Sequence, residues 1–135
     1  SPLAQGLLTG RYRNADEVPE GIAQSRWYSG TRPATNHDGP GVETEVFEAI
    51  EKIRALAEEA GMPMAILSLA WVKAQPGVTS FLVGARNPTE LDWNLPVNDV
   101  TLSEDMIARL SAITDDVKQK LGGNPDMWLE PSRMR

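Results

Sequence analysis

The 135-residue sequence contains no cysteine, and that absence removes disulfides, thiolate metal sites and a cysteine nucleophile together. A single histidine, His37, argues against a histidine-built zinc centre, so no bound metal is expected. No apolar run approaches the roughly 18 residues of a helical membrane span, and no charged segment followed by an apolar one precedes a cleavage site. Membrane attachment is therefore not expected, and a cytoplasmic setting is the default. Basic side chains are also scarce, 13 against 19 acidic ones, for a net charge of -6. Such a chain repels polyanions at long range, which argues against nucleic acid as a partner, whereas one well-placed arginine still suffices to hold a small anion.

The length suits one domain, and 41% apolar with 24% charged residues is ordinary for a globular chain. The opening SPLAQGLLTGRY reads as the tail of a strand running into a close-turning loop. Residues 13–41, with prolines and glycines scattered among polar residues, read as one long loop. Val46, Ala49, Ile50, Ile53, Leu56 and Ala57 recur at three and four, which predicts a surface helix over 43–60 closed by Gly61. A second helix over 63–75 is apolar nearly all round and should be buried, Trp71 with it. The uncharged, β-branched run 78–83 reads as a strand covered on both faces. Asn87-Pro88 then marks a helix start, Ser103 opens a last helix reaching Leu121, and a tail over 122–135 follows.

Alternating β and α units point to a parallel sheet, yet one complete strand cannot make a sheet. The strands that this pattern requires are expected outside the sequence. The chain by itself is expected to self-associate or to fold incompletely.

Two segments carry candidate chemistry. In VGARNP, residues 83–88, a strand end, two small residues, a planar cation and a helix start make a phosphate site. An ordinary strand-to-helix connection with a solvent-facing arginine is the competing reading. In SPLAQG, Ser1 offers a hydroxyl, Gly6 permits close approach, and the amides of residues 3–7 are candidates to cradle an oxyanion.

In this order, SPLAQGLLTGRY, AILSLAWVKAQPGVTSFLVGARNPTELDWN, VTLSEDMIARLSAI and NPDMW resemble the aldo-keto reductases, (β/α)8 barrels that reduce carbonyls with NADPH. The resemblance covers nearly the whole chain. It implies an α/β fold, namely the C-terminal part of a TIM barrel holding the end of strand 7, strand 8 and the associated helices. It also implies that Ser1, Leu3, Gln5, Gly6 and Leu7 lie along the pyrophosphate of NADP. Gly84, Ala85, Arg86 and Asn87 would surround its 2′-phosphate, with Glu90 and Asn94 beside the adenine. Glu90 departs from the glutamine or basic residue of many members, and Trp93 from a common acidic one.

The family's tyrosine acid and its lysine, aspartate and histidine helpers come from earlier strands, so no catalytic residue is assigned in this chain. Tyr12 and Tyr28 are not substitutes, because no lysine or aspartate stands at the matching positions. His37 reads as a solvated side chain, Trp27 and Tyr28 as a loop anchor or pocket wall, and Met127 and Trp128 as packing or a cover over the substrate. The implied function is the cofactor-binding part of an NADPH-dependent oxidoreductase acting on a small aldehyde or ketone, inactive without the rest. The alternative is a non-catalytic binding or regulatory protein that keeps part of the barrel.

Overall fold

A computed structural model describes residues 1–124 and 126–129. The tail expected over 122–135 is thus described only in part. The described residues gather into two compact units, one of Ser1–Arg11 with Lys52–Ile113, the other of Tyr12–Glu51 with the chain from Thr114 onward.

The first unit is built around α2, Met64–Lys73. Leu67 and Leu69 are 0% exposed, and Met64, Ile66, Ser68 and Ala70 are buried as well. Burying the Ser68 hydroxyl leaves no unmet polar group, because it donates to the Met64 carbonyl at 2.8 Å. Ile66, Leu69 and Ala70 join Val97 in a cluster against which Leu3, Phe81 and Val83 pack. Val97 comes from a short 3-10 helix, Leu95–Asp99, whose carbonyls at Val97 and Asn98 accept the Lys73 ammonium at 2.9 and 2.8 Å. Trp71 is only partly buried. Its indole N–H donates to Ser111 Oγ at 3.0 Å on α4, Glu104–Ile113.

The helix before α2 is α1, Glu43–Glu59, one residue short of the predicted span. It ends at Gly61 in the left-handed region, φ 64°. The amides of Gly61 and Met62 donate back to Glu58 and Ala57 at 3.1 Å each, the paired closure that a glycine at this position allows. Ser103 accepts from the Met106 amide at 3.2 Å, which starts α4 where the sequence places a helix start.

Three expectations are corrected. The strand over 78–83 is absent: the described residues include no strand, and this segment carries no regular secondary structure. Among the described residues no backbone hydrogen bond reaches 79–85. Phe81 and Val83 face the α2 cluster, while Leu82 between them is 93% exposed. Val78, Thr79 and Ser80 are all exposed, so inward and outward residues alternate only over 81–83, and a ladder needs a neighbouring strand that the described residues do not include. The α/β character expected of a barrel segment is correspondingly missing, and the regular elements are helical.

The opening is likewise no strand end but a 3-10 helix, Ala4–Thr9. The last predicted helix is broken at Thr114 into α4 and α5, Asp115–Leu121. Asp115 and Asp116 in the first turn and Lys118 and Lys120 in the last give α5 its own complementary charge pattern.

In the second unit the loop over 13–41 is tied down throughout. Asn14 caps a short 3-10 helix, Ala15–Glu17, accepting from Asp16 and Glu17 at 3.0 and 3.2 Å. Tyr28 is 1% exposed and anchors the loop. Gly41, at φ 69°, lies so close to it that a Cβ there would stand 2.4 Å from the Tyr28 carbonyl carbon. Near the loop's end Glu43, the first residue of α1, accepts from the Ser29 amide at 2.7 Å and from Arg32 Nε and Nη2 at 2.6 and 2.8 Å. His37 is not a solvated side chain: its ring meets the Ser25 carbonyl at 3.3 Å and accepts from the Gly39 amide at 3.2 Å.

The Arg32 guanidinium, followed by the Ser29 amide, holds the Glu43 carboxyl below its ordinary range against the opposing effect of burial. A depressed carboxylate stabilises the fold above its unfolded pKa, and that contribution is lost as pH falls through the folded value. Wild-type chain is therefore expected to lose stability below about pH 4, and Glu43→Gln to flatten that part of the pH profile; equal slopes in urea melts would contradict this. Leu82→Lys, which puts a charge on the unpaired segment, is expected to raise the monomer fraction in light scattering. An unchanged fraction would clear this segment of any role in association.

Candidate functional site

Both candidate segments lie in the first unit. In the first, Ala4 and Gln5 adopt φ 48° and 56°, followed by Gly6 at 95°. Left-handed backbone at two non-glycine residues costs about 1–2 kcal/mol each, so the turn must be held from outside. It is held by the Ala4 amide on the Ser1 carbonyl at 3.0 Å, the Gln5 amide on Ser1 Oγ at 3.3 Å and the Gly6 amide on the Leu3 carbonyl at 2.9 Å. Buried Leu7 and the packing of Leu3 against the α2 cluster fix it to the core. Beyond it, Arg54 of α1 donates to the Gly10 carbonyl at 2.8 Å.

These internal bonds commit the amides of Ala4, Gln5 and Gly6. What the segment offers a ligand is therefore side-chain chemistry. Gln5 Oε1 is buried without a hydrogen-bond partner. That oxygen is covered by the protein itself, and a ligand reaches it only if the Gln5 side chain moves.

The second segment follows Val83. Gly84, Ala85, Arg86 and Asn87 are all exposed, and nothing stands within 4 Å of where a Cβ would lie at Gly84, so the backbone is open to close approach. Asn87 caps α3, Pro88–Asn94, by accepting from the Glu90 amide at 2.9 Å. With only seven residues, α3 contributes little field of its own. The positive charge here is that of side chains.

Arg86 bends onto Glu90, donating from Nε at 2.9 Å and from Nη2 to Oε1, while its backbone amide donates to Oε2 at 2.8 Å. The guanidinium first, then the Arg86 amide, hold the Glu90 carboxyl below its ordinary range, and Arg11 adds to the effect. Asn94 lines a groove of about 350 Å³ with Val78, Phe81, Val83 and Leu91, near the lower end for small-molecule sites.

The structure thus anchors both segments on one scaffold, Leu3 and Val83 packing against the same α2 cluster. Arg11 was not singled out in the sequence. Its electrostatic effect on Glu90 depends on how the chain returns on itself, and no spacing signals that. The described residues at this site offer a cation, amide groups and an orphaned acceptor, and no acid positioned for proton transfer. Burial first, and then Tyr12, push the Tyr28 phenol up to about 12, so it stays protonated inside the second unit.

Residues 1–115 match the profile described as the aldo/keto reductase family. The chain is 34% identical over 112 residues to L-glyceraldehyde 3-phosphate reductase of Escherichia coli O157:H7, covering 82% of this chain and 31% of that protein. It is 32% identical over 113 residues to Protein tas of Escherichia coli strain K12, covering 84% and 30%. A probable voltage-gated potassium channel subunit beta of Arabidopsis thaliana is 30% identical over 100 residues, covering 74% and 29%. The chain therefore spans about a third of the length of these relatives.

Replacing the α3 cap, Asn87→Ala, is expected to cost about 1 kcal/mol and to loosen the turn that carries Arg86. Urea unfolding indistinguishable from wild type would show that the cap is not needed.

Proposed function

The chain belongs to the aldo/keto reductase family, and from that premise we propose that it is the cofactor-holding part of an NADPH-dependent oxidoreductase that reduces a small aldehyde or ketone to its alcohol. The observation that carries this reading is Arg86, displayed on an exposed turn after two small residues and anchored to the same helix as the segment of Ser1, Leu3, Gln5, Gly6 and Leu7. A guanidinium recognises a dianionic phosphate with a planar fork that an ammonium lacks. Gly84 and Ala85 leave room for the phosphate, and Asn94 presents an amide at the groove.

The bound dinucleotide would supply the hydride for the carbonyl carbon. The residues of this chain bind and orient it, and the proton for the carbonyl oxygen comes from outside the sequence. Under this reading the segment 78–83 takes the eighth-strand position of a (β/α)8 barrel, between strands supplied from elsewhere, in a cytoplasmic protein. Chain without those strands self-associates and turns over no substrate.

The similarity to the Arabidopsis channel subunit favours one second reading, a protein that binds the dinucleotide and serves as a partner without catalysis. Saturable NADPH binding with no carbonyl turnover by the complete protein would select it.

Arg86→Ala is expected to weaken NADPH binding a few-fold, as the loss of an exposed, screened charge contact does, and to leave NADH binding nearly unchanged. Fluorescence titration of both nucleotides checks this. Equal affinity of variant and wild type for NADPH would remove Arg86 from the site.

A further inference from the structure

The sequence comparison treats Glu90 as a neighbour of the adenine, but its geometry addresses Arg86. Glu90 takes three N–H groups of that one residue, Nε and Nη2 on Oε1 and the backbone amide on Oε2. The Glu90 side chain is 20% exposed and that of Arg86 77%. The carboxylate is thus the fixed member of the pair, and the guanidinium reaches out over it.

A guanidinium grips a phosphate best by presenting two parallel N–H groups along one edge, and Glu90 occupies the edge formed by Nε and Nη2. A phosphate must then either displace Glu90 or bind beside it. In both cases its two negative charges meet a carboxylate as well as a cation. A sugar hydroxyl meets no such opposition, because it can donate to the same carboxylate, as acidic residues do toward ribose hydroxyls in other dinucleotide sites. The charge of Arg11 also lowers the Glu90 carboxyl, so attraction for an anion is reduced rather than abolished.

We propose that Glu90 is a specificity-determining residue: it competes with the ligand phosphate for the Arg86 guanidinium and so levels the preference between dinucleotides with a 2′-phosphate and those with a 2′-hydroxyl. The proposal rests on Arg86 being the phosphate contact, the reading given above. The pair is solvent-accessible and screened, so the levelling is modest, about two- to fivefold.

The test is calorimetric titration of adenosine 2′,5′-bisphosphate and adenosine 5′-monophosphate into wild type, Glu90→Gln and Arg86→Ala. Glutamine keeps the side-chain length and an acceptor for the Arg86 amide but removes the charge. Wild type is expected to prefer the bisphosphate only a few-fold. Glu90→Gln should widen that ratio by about two- to fivefold through tighter bisphosphate binding, and Arg86→Ala should collapse it to near one.

A ratio lowered by Arg86→Ala but not widened by Glu90→Gln overturns the competition and leaves the Arg86 reading intact. A ratio indifferent to Arg86→Ala, or no binding of either nucleotide to wild type, overturns both. Should Glu90→Gln fail to fold, the wild type answers by NMR. Saturation with bisphosphate, and not with monophosphate, should shift the Glu90 carboxyl carbon and the Arg86 Nε–H together; identical spectra with the two nucleotides overturn the proposal.

Discussion

The enclosure of α2 is the constraint on which the first unit depends. A helix of ten residues that is apolar on every side has no face to give to water. Full burial of a leucine is worth about 1.5–3 kcal/mol, and α2 buries Leu67 and Leu69 completely. Set against a typical net stability of about 5–15 kcal/mol, its surroundings are not optional. Leu3, Phe81, Val83 and Val97 close over it, and Trp71 ties it to α4 through Ser111. The two candidate ligand segments are positioned as a consequence, because Leu3 and Val83 are part of that cover.

The elements legible in the sequence are those whose hydrogen bonds close locally. A helix satisfies its own backbone, so the stripe of α1, the Gly61 closure, the Asn87 and Ser103 caps and the all-apolar α2 could be read from the residues alone. A strand is a relation between segments. The run 78–83 has the composition of one, and its last three residues turn Phe81 and Val83 inward and Leu82 outward, but the partner that would make it a strand is not among the described residues. The break at Thr114 was hidden for another reason. The apolar stripe continues through it to Val117 and Leu121, and only the reset of charges, Asp115 and Asp116 followed by Lys118 and Lys120, marks a second helix.

The candidate site shows the same division. The Asn87 cap was readable because it follows from local spacing, and the structure keeps it. The pairing of Arg86 with Glu90 needs side-chain direction as well as spacing, and the nearness of Arg11 needs the return of the chain. His37 is the counterpart in the second unit. Alone in a loop of prolines and glycines it looks solvated, and only the path of the loop brings it to the Ser25 carbonyl and the Gly39 amide.

The structure uses one electrostatic device twice, and the difference between the two copies separates structure from function. Glu43 opens α1 and Glu90 lies in the first turn of α3; each accepts one backbone amide and one arginine side chain. In the first copy both partners are largely covered, so the pair closes the loop upon itself, and its acidity profile is that of a fold contact. In the second copy the carboxylate is covered while the arginine extends into solvent. A covered pair has already spent its charges on each other. A pair with one member outside still presents a directed cation, held by an anion that any incoming phosphate must work against. Exposure of the arginine, rather than the presence of the ion pair, is what makes the second copy a candidate for recognition.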